Sequence, residues 1–219
     1  MIGNKKHFLV AGATGLVGTS LVEQLLLNPE VAKITLLVRK PTGVSNPKLT
    51  EKIIDFDTFS ENALAQNVDA VFCCLGTTLR KAGGKEAFKR VDFDYVLKLA
   101  VYTQRQNIAQ FHVISAKGSN QKATVFYNRV KGHMESELVK LDKIKSIYIY
   151  RPSLLLGDRG EFRFGEVVGT FFMKALSFII PDSTKAIKDH QVAKNMLSNA
   201  MNPKKGVHYV ENAEMINLG

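Results

Sequence analysis

The sequence predicts an α/β fold, a doubly wound and mostly parallel sheet built by one domain over residues 1–219. Three observations carry that expectation. Short apolar runs rich in Val, Ile and Leu alternate with longer segments of helical period. No Asn-Gly or similar hairpin signal joins two neighbouring runs. A glycine-rich turn lies between the first run and the first helical segment. Parallel strands need long crossover connections, and helices between strands supply them.

The elements follow in order. Lys6–Ala11 (KHFLVA) reads as the first strand and Gly12–Gly18 as a turn. Leu16–Leu27 is the first helix, with Leu16, Val17, Leu21 and Leu25 at helical spacing, and Asn28-Pro29 ends it. Ile34–Val38 (ITLLV) suits a strand buried on both faces. Lys52–Ile54, Ala70–Cys74, Phe111–Ser115 and Ile147–Tyr150 are further strands, and Lys85–Gln106 and Thr124–Leu141 are helices between them. After Arg151-Pro152 the pattern changes. Gly157–Gly165 is loop-like, Val167–Ile180 and Lys185–Ala200 have helical period, and Val207–Val210 is a last short strand. With no linker or repeat, residues 1–155 are expected to form a coenzyme-binding core and 156–219 a small substrate-side elaboration.

Composition narrows the function classes. With 219 residues, 45% hydrophobic and 23% charged, the chain can bury a core and is neither disordered nor a coiled coil. The only two cysteines, Cys73 and Cys74, are adjacent, and no second Cys/His pair stands at ligand spacing, so neither a disulfide framework nor a metal site is expected. No apolar stretch of signal-peptide length precedes the first turn. The most apolar later segment, Val167–Ile180, is interrupted by Lys174 and is too short to span a bilayer. A cytoplasmic protein without a membrane span is the expectation. The formal net charge is +10, but the basic residues are scattered. The densest group, Arg80, Lys81, Lys85, Lys89 and Arg90, is not interleaved with stacking aromatics, which argues against nucleic acid and leaves a solvated surface, an anion-attracting cleft or an acidic substrate.

The turn reads Gly12-Ala13-Thr14-Gly15-Leu16-Val17-Gly18, placed after a strand and opening a helix, where a dinucleotide fingerprint belongs. Its first glycine permits a sharp turn, its second lets backbone N–H groups approach a pyrophosphate, and its third lets the helix pack close to the sheet. The anion then lies at the helix N-terminus, where unpaired N–H groups and the helix dipole favour negative charge. These features together point to a Rossmann fold. The second strand ends Leu37-Val38-Arg39-Lys40, without the acid that would take an NAD ribose hydroxyl. Arg39 can fork onto a 2′-phosphate and Lys40 can add a point charge, so NADP(H) is expected over NAD(H).

Tyr127-Asn-Arg-Val-Lys131 places a phenol and an ammonium one helical turn apart on one face. A cation beside a phenol favours phenolate and brings it toward use as a general acid near neutral pH. The spacing alone is common, but Tyr127 follows the fifth strand, near the carboxyl ends where open α/β sheets bind ligands. Ser115, ending FHVIS, reaches the same rim and could hydrogen-bond a substrate oxygen. Other polar residues have quieter readings. His112 and His133 are read as structural, Asp92 and Asp94 as helix-opening caps, and Cys73 and Cys74 as small buried hydrophobes. Phe162, Phe164, Phe171, Phe172 and Met173 are read as core packing ahead of a substrate wall.

The stretches VAGATGLVG, LLVRK, DAVFCCLGTTLRKAG, VDFDYVLKLA, HVISAKG, YNRVKG and YRPSLLLGDR resemble the short-chain dehydrogenase/reductase superfamily, as an atypical member close to its Tat-interacting-protein oxidoreductase group. The resemblance implies NADPH binding, with Tyr127 as proton donor, Lys131 holding the nicotinamide ribose and Ser115 orienting substrate. It further implies that Leu75, Gly76 and Thr77, with Pro152, Ser153, Leu154 and Leu155, line the coenzyme, and that Asp55 and Phe56 lie by the adenine. Where relatives often carry a serine pair after the fifth strand, this chain has Ser115-Ala116. The expected function is NADPH-dependent reduction of a carbonyl, with hydride from the nicotinamide and the proton from Tyr127. Two alternatives stand beside it: an NADPH-binding regulator that engages a protein partner with little turnover, and an NAD-dependent epimerase or dehydratase.

Overall fold

The computed structural model describes residues 5–58, 65–156 and 184–217. Its main strands are β1 (Lys6–Ala11), β2 (Val31–Val38), β3 (Leu49–Ile53), β4 (Ala70–Cys73), β5 (Gln110–Ile114), β6 (Ser146–Arg151) and β9 (Gly206–Glu211). They form one seven-stranded sheet in the order β3-β2-β1-β4-β5-β6-β9, with every neighbouring pair parallel. The chain winds outward from β1 to β3, then crosses back to β4 and winds the other way. The crevice between the carboxyl ends of β1 and β4 is therefore the topological switch point, the place where such sheets bind ligands.

Alternation along each strand divides the core into two layers. On β1, Phe8 and Val10 point to the side covered by α1 (Leu16–Leu27) and α6 (Asp189–Met201), among Leu21, Leu25 and Met196. Leu9 and Ala11 point to the other side, covered by α4 (Tyr95–Arg105) and α5 (Phe126–Leu138), among Leu99, Met134 and Leu138. The central strands are buried on both faces, as ITLLV predicts. The short last strand expected at Val207–Val210 is β9, which joins the main sheet beside β6.

Several boundaries differ from expectation for local reasons. The helix expected over Lys85–Gln106 is α3 (Lys85–Lys89), a π-helical turn (Arg90–Asp94) and α4. A short α2 (Leu79–Ala82) precedes it, with the Thr78 hydroxyl accepting from the Lys81 N–H at its start. The helix expected from Lys185 begins at Asp189, because Ile187–Lys188 (β8) pairs instead with Leu155–Leu156 (β7). Helix α7 (Asn212–Asn217) follows β9. The segments Gly157–Gly165 and Val167–Ile180, with Phe162, Phe164, Phe171, Phe172 and Met173, lie outside the described residues. Among the described residues no helix is long and apolar enough to cross a membrane. His112 is a core residue: its ring nitrogens meet the Tyr150 hydroxyl and Gln110 Oε1, both at 3.1 Å, and burial pushes its pKa down to about 3.

Helix α5 lies close against the loop after β5. A Cβ placed on Gly132 would stand 2.2 Å from the Asn120 carbonyl carbon, so no side chain fits there without moving backbone. Gly132→Ala is expected to destabilise the protein by about 1–3 kcal/mol, read as a lower denaturant midpoint at unchanged slope.

Candidate coenzyme and catalytic site

The glycine turn behaves as its spacing suggests. Gly12 has φ +80°, and a Cβ on it would stand 2.5 Å from the Cys74 backbone at the end of β4. A Cβ on Gly18 would stand 2.1 Å from the Gly12 carbonyl oxygen, so only hydrogen allows α1 to approach the turn this closely. Gly15 is the N-cap of α1, extended in conformation and on the wall of a cleft, and no side-chain cap covers the first-turn N–H groups.

That cleft has a volume of about 810 Å³ and runs from Gly12, Thr14 and Gly15 past Arg39, Lys40 and Phe56 to Leu75, Gly76 and Thr77. It sits at the switch point and is large enough for a dinucleotide. The residues fit such a ligand: a Cβ-free cradle at Gly12, a helix N-terminus with open donors, and two exposed cations at the end of β2. Phe56 is buried and stacked on Tyr95, with ring centroids 5.2 Å apart. Tyr95 in turn donates to Asp57 at 2.8 Å.

The loop Cys74–Thr77 also walls a smaller pocket, lined on its far side by Val17, Asp92, Ser115, Tyr127, Lys131 and Leu155. The catalytic trio expected from the sequence is therefore brought together, next to the coenzyme cleft. Tyr127 and Lys131 stand on α5, and Ser115 follows the end of β5. The Tyr127 ring packs against Phe88, with centroids 5.4 Å apart.

Lys131 is buried, and its ammonium donates to Asp92 Oδ1 at 2.9 Å and to the Ile114 carbonyl at 3.1 Å. The other Asp92 oxygen accepts the Thr77 N–H at 2.8 Å. Asp92 is 1% exposed, so the expected helix cap is instead a buried ion-pair partner that ties α5 to the loop after β4. The correction has a sequence signal: Asp92, Val96, Leu99 and Ala100 recur at helical spacing and are all buried. The π-helical turn around Asp92 is the kind of local helix irregularity often found at functional sites.

This pairing alters the electrostatics expected for the phenol. With Lys131 committed to Asp92, the pair is close to neutral as seen from Tyr127. Burial and the Asp92 carboxylate hold the Tyr127 phenol well above its ordinary value. The cation at i+4 therefore does not lower it in this structure.

Ser115 is buried, and its hydroxyl donates to Glu135 Oε1 at 2.5 Å. The sequence reading also missed Glu135, although Tyr127, Lys131 and Glu135 recur every fourth residue on α5. Of the residues expected around the coenzyme, Leu16, Gly18, Asp55, Pro152, Ser153 and Leu154 border neither space. Gly18 serves the helix approach described above. The Asp55 carboxylate accepts from the Asp57 N–H at 2.9 Å. Pro152 and Leu154 give their carbonyls to Lys117 and Ile187, each at 2.9 Å. The Ser153 N–H donates to Asn212 at 2.8 Å and its hydroxyl to the Lys185 carbonyl. Leu155, at the end of that segment, does reach the smaller pocket.

Residues 12–146 match a family described as NAD(P)H-binding. The chain belongs to that family. It is 34% identical over 224 residues to Protein HTATIP2 of Rattus norvegicus, covering 99% of this chain and 90% of the relative. It is 35% identical over 173 residues to the mitochondrial protein fmp52 of Emericella nidulans, covering 75% of this chain and 73% of the relative. Among solved structures, a UDP-N-acetylglucosamine 4-epimerase from Methanobrevibacter ruminantium superposes with a TM-score of 0.71 over 95% of this chain and 77% of that one. MoeE5, in complex with UDP-glucose and NAD, gives 0.70 over 96% and 80%. At 18% and 16% identity these two likenesses speak for the Rossmann-like fold.

Proposed function

We propose that the protein is an NADPH-dependent reductase of carbonyl compounds, with residues 156–219 contributing the substrate side. The observation that carries this reading is the shared loop: Leu75, Gly76 and Thr77 wall both the dinucleotide cleft and the pocket holding Tyr127, Lys131 and Ser115. When bound, the coenzyme supplies hydride to a carbonyl carbon; the chain supplies placement and a proton. The Tyr127 phenol, held protonated by its burial, delivers that proton to the carbonyl oxygen as general acid. An ammonium has three donors, and Lys131 uses one on Asp92 and one on Ile114. The third can meet a ribose hydroxyl. Packing of its ring against Phe88 fixes the phenol in place beside the pocket.

Arg39 and Lys40 are exposed and, with Lys81, line the cleft. This supports NADPH over NADH, since a guanidinium can fork onto the 2′-phosphate. Lys81, on the same cleft, adds positive charge that favours a substrate carrying negative charge. Arg39→Ala is expected to weaken NADPH binding by roughly 10- to 150-fold, about 1.5–3 kcal/mol, with NADH little changed. Equal losses for both coenzymes in a calorimetric titration would overturn the assignment.

The function itself is tested by titrating the purified protein with NADPH and NADH, then following NADPH oxidation against a panel of aldehydes and ketones. Uptake of NADPH with oxidation that disappears in Tyr127→Phe supports a reductase. Uptake of neither coenzyme removes the reading. Uptake without any Tyr127-dependent oxidation favours a coenzyme-loaded regulator instead.

A further inference from the structure

Beyond Lys131, buried Glu135 anchors a second charge network that the reductase chemistry leaves unused. Glu135, 4% exposed, stands one turn beyond Lys131 on α5. Arg151, the last residue of β6, forks onto it: Nε reaches Oε1 at 3.0 Å and one terminal nitrogen reaches Oε2 at 2.5 Å. The other terminal nitrogen reaches Glu211 at 2.9 Å, and the guanidinium lies 4.3 Å from the centroid of Tyr209 on the edge strand β9. The Ser115 hydroxyl enters this network as a donor to Glu135 Oε1.

A hydroxyl has one proton and two lone pairs. A carboxylate gripped at both oxygens by a guanidinium has no proton to return, so the Ser115 proton stays on the Glu135 side. The nearby Ser119 hydroxyl, 3.1 Å from Ser115 Oγ, directs its own proton to the Ala116 carbonyl at 2.7 Å. Toward the pocket that it lines, Ser115 therefore has accepting capacity only.

We propose that Glu135 is a positioning residue that makes Ser115 a hydrogen-bond acceptor for a ligand hydroxyl, rather than a donor to the carbonyl oxygen. This deepens the reductase reading and rests on it. The carbonyl oxygen then meets the Tyr127 proton, while Ser115 selects ligands that present an O–H group, the alcohol product among them. A site built to pair with a hydroxyl discriminates against a ligand that lacks one, because its own polar group is left unpaired.

Two measurements test it. Proton NMR of the coenzyme-free protein reads the serine directly: a downfield hydroxyl resonance is expected in the wild type and Ser119→Ala. It should vanish in Ser115→Ala and move upfield in Glu135→Gln, whose neutral amide oxygen is a weaker acceptor. Glu135→Asp, which keeps the charge but withdraws it by one methylene, serves the same purpose if Glu135→Gln does not fold. A resonance unmoved by either Glu135 variant overturns the proposal. Kinetics read the consequence. Ser115→Ala should raise KM for an alcohol with NADP+ about 10-fold while moving KM for the matching ketone with NADPH less than about 2-fold. Glu135→Gln should move the alcohol KM in the same direction and the ketone KM less, with no further change once Ser115 is alanine. Equal effects on ketone and alcohol, or additive losses in the double variant, overturn it. Absence of turnover in the wild type counts against the reductase reading alone, since the NMR result stands without it.

Discussion

Replacing Asp92 with alanine is expected to destabilise the protein by about 3–5 kcal/mol, the usual result of stranding one partner of a buried ion pair. The Lys131 ammonium would keep its hydrogen bond to the Ile114 carbonyl but lose the opposite charge 2.9 Å away, in a site from which water is largely excluded. The Thr77 N–H would lose its acceptor as well, so the loop between the two pockets should loosen. Asp92→Asn should fall between wild type and alanine, because an amide oxygen still accepts from Thr77 or Lys131 without supplying charge. Removing both charges in Asp92→Ala/Lys131→Met should recover much of the loss, since no buried charge is then left unpaired. Chemical denaturation of the four proteins at constant slope decides this. A single-variant loss below about 1 kcal/mol would mean that Lys131 finds another partner or reaches solvent.

Tyr127→Phe is expected to lower carbonyl reduction by about 10²- to 10⁴-fold, the range contributed by a positioned general acid. NADPH affinity should be nearly unchanged, because the lost hydroxyl is one atom and the ring keeps its packing against Phe88. The pH dependence carries the sign of the assignment. A general acid must be protonated, so activity is lost as pH rises through its pKa. In the coenzyme-free protein, burial and Asp92 hold that value above the ordinary phenol value of about 10. The wild-type rate should thus persist through neutral and mildly alkaline pH, and Tyr127→Phe should remove the alkaline limb together with the rate. A Tyr127→Phe enzyme that retains more than about a tenth of wild-type turnover would assign the proton to another group.

Most of the fold was readable along the chain because its signals are local. The strand–helix alternation, the glycine turn and the doubly apolar ITLLV run each depend on neighbours within a few residues, and each appears in the sheet as expected. The order of the strands, and the crossing back from β3 to β4, are decided by tertiary pairing. The irregular parts were less legible. The π-helical turn at Arg90–Asp94 leaves no composition signal of its own, and the pairing of Leu155–Leu156 with Ile187–Lys188 joins segments about thirty residues apart.

The site divides in the same way. Gly12, Gly18, Arg39, Tyr127 and Lys131 announce themselves because a turn, a strand end and a single helix face place them. Asp92 and Glu135 acquire their roles only when α4, α5, β5 and β6 are packed, since their partners Lys131, Ser115 and Arg151 reach them across separate elements. A carboxylate read alone along a helix is ordinarily a solvated charge; enclosed beside a cation it becomes an anchor whose removal is costly. Short-range periodicity sets which side of a helix a residue occupies, but Coulomb attraction and hydrogen bonding act through space. The linear order of residues therefore pointed to the fold, the candidate coenzyme cleft and the proposed proton donor, while packing placed the buried charges beside the lysine and the serine.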